Sequence, residues 1–161
     1  MARMQVLIFE IDGRKFGIDA NLTSGILRGK KYTMQKLPTT PGSISGSIEG
    51  MINLRGKISY IFNLRKKFKM DHVANDEESK IIMVYLNELS IGCIVDEVTD
   101  IIMFDSDEFE QVPLLIREKE KQYITGIGKV QDELIIMLNL SALLIDDEIE
   151  GLCFEQLDSY Y

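Results

Sequence analysis

The sequence predicts an all-β protein: two similar small β-barrels packed together, with short helices and a C-terminal helix. Three observations carry this. Short β-rich apolar runs recur at hairpin spacing, beginning with residues 5–11 and the turn pair Asp12-Gly13. The pattern then repeats: at an offset of 75, Gly17 falls on Gly92, Ile18 on Cys93, and Ile26-Leu27 on Ile101-Ile102. At an offset of 76, Ile48 falls on Ile124, Gly50 on Gly126, Tyr60-Ile61-Phe62 on Ile136-Met137-Leu138, and Asn63-Leu64 on Asn139-Leu140. Two glycines and an Asn-Leu pair in near-constant register indicate duplication of a unit, 4–70 and 79–145, with a period far too long for a solenoid. Each unit alone buries a limited core, so the two pack on one another. Closure of each small sheet into a barrel removes its exposed edges.

Taken in order, residues 5–11 form a strand, Asp12-Gly13 turns the chain, and 15–19 begin the return strand. Residues 20–24 lack alternation and read as one helical turn before Gly25, after which Ile26 and Leu27 resume an extended stretch. Residues 29–47 contain Pro38, Pro41, Gly42 and Gly46, which cannot share a regular element, so they form a loop. Strands 51–54 and 57–62 follow, joined at Arg55-Gly56. Leu64 and Phe68 lie four apart and mark one face of a short helix, while Arg65, Lys66 and Lys67 face elsewhere. Residues 72–79 are a polar, acidic connector. Strands 80–86 and 90–95 then surround a turn at Asn87-Glu88. Residues 141–158 are acid-rich, with Leu144, Leu152 and Leu157 available to dock a helix on a barrel.

Composition narrows the function. With 45% hydrophobic and 27% charged residues, the chain has the balance of a globular protein that buries a core. Apolar runs at 81–86 and 134–138 reach six and five residues, far short of the ~20 that span a bilayer. The N-terminus carries one Arg, a four-residue apolar run and an acid, a pattern unlike a secretory signal, so a cytoplasmic protein without membrane insertion is expected. His72 is the only histidine, and Cys93 and Cys153 read as free thiols. No zinc site, Cys/His catalytic pair or cofactor is therefore expected. Asp105, Asp107 and Glu108 sit in a polar stretch with no sign of the burial that makes carboxylates catalytic, and no enzyme is expected.

The net charge of −8 is unevenly distributed. Residues 1–70 hold 13 Lys and Arg against 4 Asp and Glu, net +9, and residues 71–161 hold 5 against 22, net −17. This reads either as association surfaces of opposite sign or as two solvated faces that differ in charge. A rival function follows from the basic half: Arg28, Lys30, Lys31, Arg65, Lys66, Lys67 and Lys69 on a small barrel could bind nucleic acid. The overall negative charge and the scarcity of aromatic residues among these cations count against it.

The stretch Gly50-Met51-Ile52-Asn53-Leu54-Arg55-Gly56-Lys57-Ile58, followed by Ile61-Phe62-Asn63-Leu64, resembles the signature of the CheW family of bacterial chemotaxis coupling proteins, Gly-Val-x-Asn-Leu-Arg-Gly before an apolar strand. A second block, Gly92-Cys93-Ile94-Val95-Asp96-Glu97-Val98-Thr99-Asp100-Ile101, is similar to the family's Gly-x-x-Val-Asp-x-Val-x-Asp-Val, and Tyr123-Ile124-Thr125-Gly126 resembles a third. The resemblance runs from about residue 5 to 144, and its first block is the specific one.

The resemblance implies a non-enzymatic scaffold of two SH3-like barrels around a shared apolar centre, linking methyl-accepting chemoreceptors to the regulatory domain of the CheA histidine kinase. It implies one such domain over 1–161, with subdomain one at about 15–78 plus the chain end and subdomain two at about 1–14 and 79–145 by strand exchange. It places Gly25, Arg55, Val98 and Ile101 at the receptor, and Thr23, Ile26, Leu27 and Gly50 at the kinase, around the motif Asn53, Leu54, Arg55 and Gly56. Gly25 stands where some relatives carry an acid, and the stretch from Pro38 to Gly50 is longer than the family's usual spacing. From the residues alone, Arg55 reads either as a turn arginine bound to its own protein or as a bidentate partner for carboxylates. Val98, Ile101 and Leu27 read equally as core.

Overall fold

A computed structural model of the chain describes residues 3–28, 35, 48–68, 70, 79–86, 88–111 and 123–144. Its strands are β1 (Arg3–Ile11), β2 (Arg14–Asp19), β3 (Thr23–Arg28), β4 (Ile48–Leu54), β5 (Lys57–Asn63), β6 (Lys80–Leu86), β7 (Leu89–Val95), β8 (Glu97–Asp105), β9 (Phe109–Glu110), β10 (Ile124–Val130) and β11 (Glu133–Leu138). Short helices α1 (Leu64–Lys67) and α2 (Leu140–Leu144) follow β5 and β11, and 3-10 turns at Ala20–Leu22 and Ser106–Glu108 precede β3 and β9.

The strands form two sheets of matching order. One is five-stranded, β3-β6-β7-β5-β4, and the other six-stranded, β8-β1-β2-β11-β10-β9. Each is assembled from both sequence repeats. Hairpin β1–β2 of the first repeat lies between β8 and β11 of the second, and hairpin β6–β7 of the second lies between β3 and β5 of the first. The registers agree residue by residue. Leu7 faces Ile18 and Ile8 faces Gly17, as Ile82 faces Cys93 and Met83 faces Gly92. In the parallel pairs Met137 meets Gly17 as Ile61 meets Gly92. Even the irregularities coincide: the ladder slips between Thr23 and Gly25 as between Val98 and Asp100, and between Ile48 and Gly50 as between Ile124 and Gly126. Gln35 bridges Met51 where, one repeat on, Glu110 pairs with Ile127.

The sheets divide the chain differently from the expected 15–78 against 1–14 plus 79–145. A whole hairpin, rather than one strand, is exchanged in each direction: β2 stays beside β1, and β6 and β7 belong to the five-stranded sheet. The reason is local. Asp12 and Gly13 both sit at positive φ, 54° and 74°, in a two-residue turn that binds β1 and β2 into one unit, so neither strand moves without the other.

Alternation along the strands sorts the core into three clusters. In β1, Leu7, Phe9 and Ile11 join Phe16, Ile18, Phe62, Ile82, Val84, Cys93 and Leu138 in a central cluster drawn from both sheets. Val6 and Ile8 point the other way and pack with Phe104, Ile135 and Met137. Ile52, Ile61, Ile81, Met83 and Ile94 fill the five-stranded unit. Burial on both faces explains why β1, β6 and β7 read as nearly continuous apolar runs. Among the described residues the central cluster is the largest of the three, so association of the units buries more of their apolar bulk than either interior does alone.

The repeated glycines and asparagines now have physical causes. A Cβ on Gly17 would lie 2.7 Å from Val6 Cγ1 and 2.8 Å from Met137 Sδ, and one on Gly92 would lie 2.6 Å from Ile61 Cδ1 and 2.7 Å from Ile81 Cγ2. Both interiors are too narrow there for any side chain. Asn63 Oδ1 accepts from Arg65 N at 3.0 Å and Asn139 Oδ1 from Ala142 N at 3.2 Å, so each asparagine caps the short helix after its hairpin. The following leucines, Leu64 and Leu140, are buried. Cys93 is a buried free thiol, and burial pushes its pKa up to about 12. The loop expected at 29–47, apart from Gln35, lies outside the described residues, as do His72 and the connector around it up to residue 78, Asn87 and the tail with Leu152, Cys153 and Leu157.

Candidate functional site

Strands β4 and β5 close on the two-residue turn Arg55-Gly56, flanked by the pair Leu54 and Lys57. Both turn residues lie at positive φ, 54° and 82°. Such a turn matches the twist of the hairpin, and Gly56 adopts it freely, whereas an arginine there stores about 1 kcal/mol of backbone strain. Asn53 holds the turn, its Oδ1 accepting from Gly56 N at 3.0 Å. Arg55 itself is exposed, and among the described residues its guanidinium makes no hydrogen bond or ion pair. The turn is therefore tied to its own protein by Asn53, and the Arg55 side chain projects as an uncommitted cation. Beside it, Lys57 Nζ lies 4.8 Å from the centroid of the Tyr85 ring and 3.4 Å from its hydroxyl.

The other expected residues fall on two edge strands. On β3, Thr23 is half-buried and donates from Oγ1 to Ala20 O at 2.7 Å, Gly25 is exposed with open space around it, and Ile26 is 45% exposed. Leu27 is half-buried against the interior of the five-stranded unit. On β8, Val98 is half-buried against the central cluster and Ile101 is 51% exposed. Gly25 thus lies with Thr23, Ile26 and Leu27, apart from Val98 and Ile101. Gly50 is buried in β4 at the ladder slip, which leaves it no contact surface and makes it a determinant of strand shape. Ile26 and Ile101 occupy equivalent positions in the duplication: each stands opposite a residue of the central cluster, Ile82 and Leu7 respectively, at the outer strand of its sheet.

Several exposed apolar residues were not singled out from sequence. Met103, Ile58, Leu134 and Tyr85 are about half exposed or more. The signal that could have found Ile58 and Leu134 is the duplication, since they correspond at the offset of 76 and are both 60% exposed.

Three of the charged groups singled out as rivals, Arg65, Asp105 and Glu108, are engaged in structure. Arg65 binds Asp96 with two bonds, 2.6 and 3.2 Å. Asp105 Oδ1 accepts from Arg3 Nε at 3.1 Å, and Glu108 Oε1 accepts from Asp105 N at 2.9 Å. Lys15 pairs with Glu133 at 2.5 Å, a bond that raises the lysine's pKa. Of the remaining cations proposed for nucleic acid, Lys30, Lys31 and Lys69 lie outside the described residues.

Comparison with known proteins agrees with this architecture. The family model of the CheW-like domain matches residues 5–148. The chemotaxis protein CheW of Klebsiella aerogenes is 27% identical over 145 residues, covering 90% of this chain and 84% of that protein. The chemotaxis protein CheW of Bacillus subtilis is 26% identical over 140 residues, covering 87% and 86%. The crystal structure of the scaffolding protein TtCheW from Thermoanaerobacter tengcongensis superposes with a TM-score of 0.77 at 28% identity, covering 91% of this chain and 95% of that one. Duplicated sheets, the Asn-Leu-Arg-Gly turn and a match over nearly the whole length lead to one conclusion: the chain belongs to the CheW-like domain family and is a chemotaxis scaffolding protein of two SH3-like units.

Proposed function

We propose that this protein couples methyl-accepting chemoreceptors to the CheA histidine kinase without catalysing a reaction, at the cytoplasmic tips of receptor arrays. The observation that carries the reading is Arg55: a cation exposed on a strained turn, bonded to nothing among the described residues while Asn53 does the structural work. Strain retained at an exposed position is accounted for by a partner that uses it. A guanidinium there can take a carboxylate with two parallel bonds. In this reading Arg55, Val98 and Ile101 meet the receptor, with Gly25 as a close-approach point, and Thr23, Ile26 and Leu27 meet the kinase's regulatory domain. Gly50 acts indirectly, by shaping β4. Two edge strands with equivalent exposed isoleucines suit a scaffold that holds two protein partners at once.

The test pairs folding with binding. Arg55→Glu is expected to leave the melting temperature within a degree or two while weakening pull-down of receptor fragment or kinase, since losing one partner of an interfacial charge pair costs about 2–5 kcal/mol. A large drop in melting temperature, with binding simply proportional to folded protein, would make Arg55 structural. Failure of the tagged protein to bring down either a histidine kinase or a methyl-accepting receptor from its own host would overturn the assignment.

A further inference from the structure

The duplication supplies an internal control for the surface around Arg55. At the offsets of 75 and 76, Arg55, Lys57, Ile58 and Tyr85 of the five-stranded unit correspond to Gln131, Glu133, Leu134 and Glu10 of the six-stranded unit. The apolar member is kept, at 60% exposure in both. The remainder shifts toward negative charge at every position. Where one unit presents Arg, Lys and Tyr, the other presents Gln and two carboxylates, one of them neutralised by Lys15 at 2.5 Å. Arg55 and Lys57 face no carboxylate among the described residues, and Lys57 rests instead on the 46% exposed ring of Tyr85. Lys57 is the first residue of β5 after the turn that carries Arg55, so the turn sits beside the Lys57–Tyr85 contact at one end of the five-stranded sheet.

We propose that Lys57 and Tyr85 extend the Arg55 site into a single recognition strip for a carboxylate-bearing segment of the chemoreceptor, and that they set its specificity. This rests on the function proposed above. The chemistry is complementary: Arg55 takes one carboxylate in fork geometry, Lys57 supplies a second point charge, and the Tyr85 ring offers an amphipathic floor for the methylenes between the acids. Lys57 held over the ring keeps its ammonium at the surface, and the hydroxyl beside it can accept from or donate to the arriving segment.

The experiment measures the affinity of the full chain for a soluble cytoplasmic fragment of a methyl-accepting receptor from the same host, in 0.05 and 0.5 M salt, beside thermal melting of each variant. Lys57→Glu is expected to weaken binding by about 30-fold at low salt and by less at high salt, because the lost term is charged. Tyr85→Ser is expected to cost roughly 10-fold. Lys57→Arg should stay near wild type, as should Glu133→Gln at the counterpart position. If Lys57→Glu and Tyr85→Ser bind like wild type while Arg55→Glu does not, the strip ends at Arg55 and the inference is overturned. If Arg55→Glu also binds normally, or the wild type does not bind the fragment, the receptor reading beneath it fails as well.

Discussion

Arg65 closes a two-point ion pair on Asp96, Nη2 to Oδ2 at 2.6 Å and Nε to Oδ1 at 3.2 Å, at the residue where the chain passes from one sheet to the other. Asp96 is the single link between β7 and β8. Its Oδ2 also accepts from Asp12 N at 2.8 Å, and its own N–H donates to Glu10 O at 3.0 Å. The carboxylate therefore joins the helix after β5, the β1–β2 turn and the crossover. The counterpart positions, Asn21 and Ser141, cannot form such a pair.

Because the Arg65 side chain is only 13% exposed, removing Asp96 takes a carboxylate away from a mostly buried charge. Asp96→Ala is expected to lower the unfolding free energy by about 2–3 kcal/mol in urea titrations at neutral pH. A loss below about 0.5 kcal/mol would place the pair with ordinary surface bridges.

Gly17→Ala and Gly92→Ala should each destabilise by about 1–3 kcal/mol, since the added methyl overpacks an interior without room for it. Thermal melts of the two variants should show losses of similar size. A neutral result at one position only would mean that the two interiors relax differently despite their shared register.

The Cys93 thiol carries a pH signature. Its folded pKa is raised from 9.0 to about 12 by burial, so between those values the folded state holds a proton that the unfolded state has released. The associated stability is complete below pH 9 and is lost as pH rises from there toward 12, at up to ~1.4 kcal/mol per pH unit. Cys93→Val, which keeps apolar bulk and removes the titration, should show a shallower alkaline loss in parallel pH melts. Identical slopes would sink the assignment.

Arg55→Gly separates stability from binding. Glycine relieves the positive-φ strain, so the variant should melt no lower than wild type, with a gain of up to about 1 kcal/mol. Receptor binding should nevertheless fall as it does for Arg55→Glu. A variant both destabilised and binding-competent would contradict the geometry of the turn.

Charge polarity survives the exchange of hairpins in weakened form. Residues 20–95, which span the five-stranded sheet, hold 11 Lys and Arg against 6 Asp and Glu, net +5, and the rest of the chain carries −13. Opposite fields on the two units should steer association with the kinase. The on-rate is expected to slow markedly from about 0.02 to 0.5 M salt while dissociation changes less, because steering acts before contact and screening shortens its range to about 10 Å at 0.1 M. Stopped-flow kinetics would decide it, and a salt-independent on-rate would leave the polarity as surface composition.

The sequence by itself determined the strands, the turns and the duplication. Asp12-Gly13 and Arg55-Gly56 were legible because two-residue hairpin turns at positive φ restrict residue type, and Gly17 and Gly92 because only glycine fits where they lie. Arg55 was legible only through the resemblance of its local motif, because the positive φ of the turn by itself disfavours arginine. Which sheet each hairpin joins was decided only by tertiary structure. The two repeats present near-identical edges, so β5 could pair with β2 or β7 on pattern alone. The choice of β7 rests on packing among residues far apart in sequence, including the central cluster shared by both sheets. The same limit hid the Lys57–Tyr85 contact, whose partners lie 28 residues apart and meet across β7. It also hid the burial of Gly50 against the exposure of Ile101, because alternation says that a strand has two faces and only the assembled fold says what covers each.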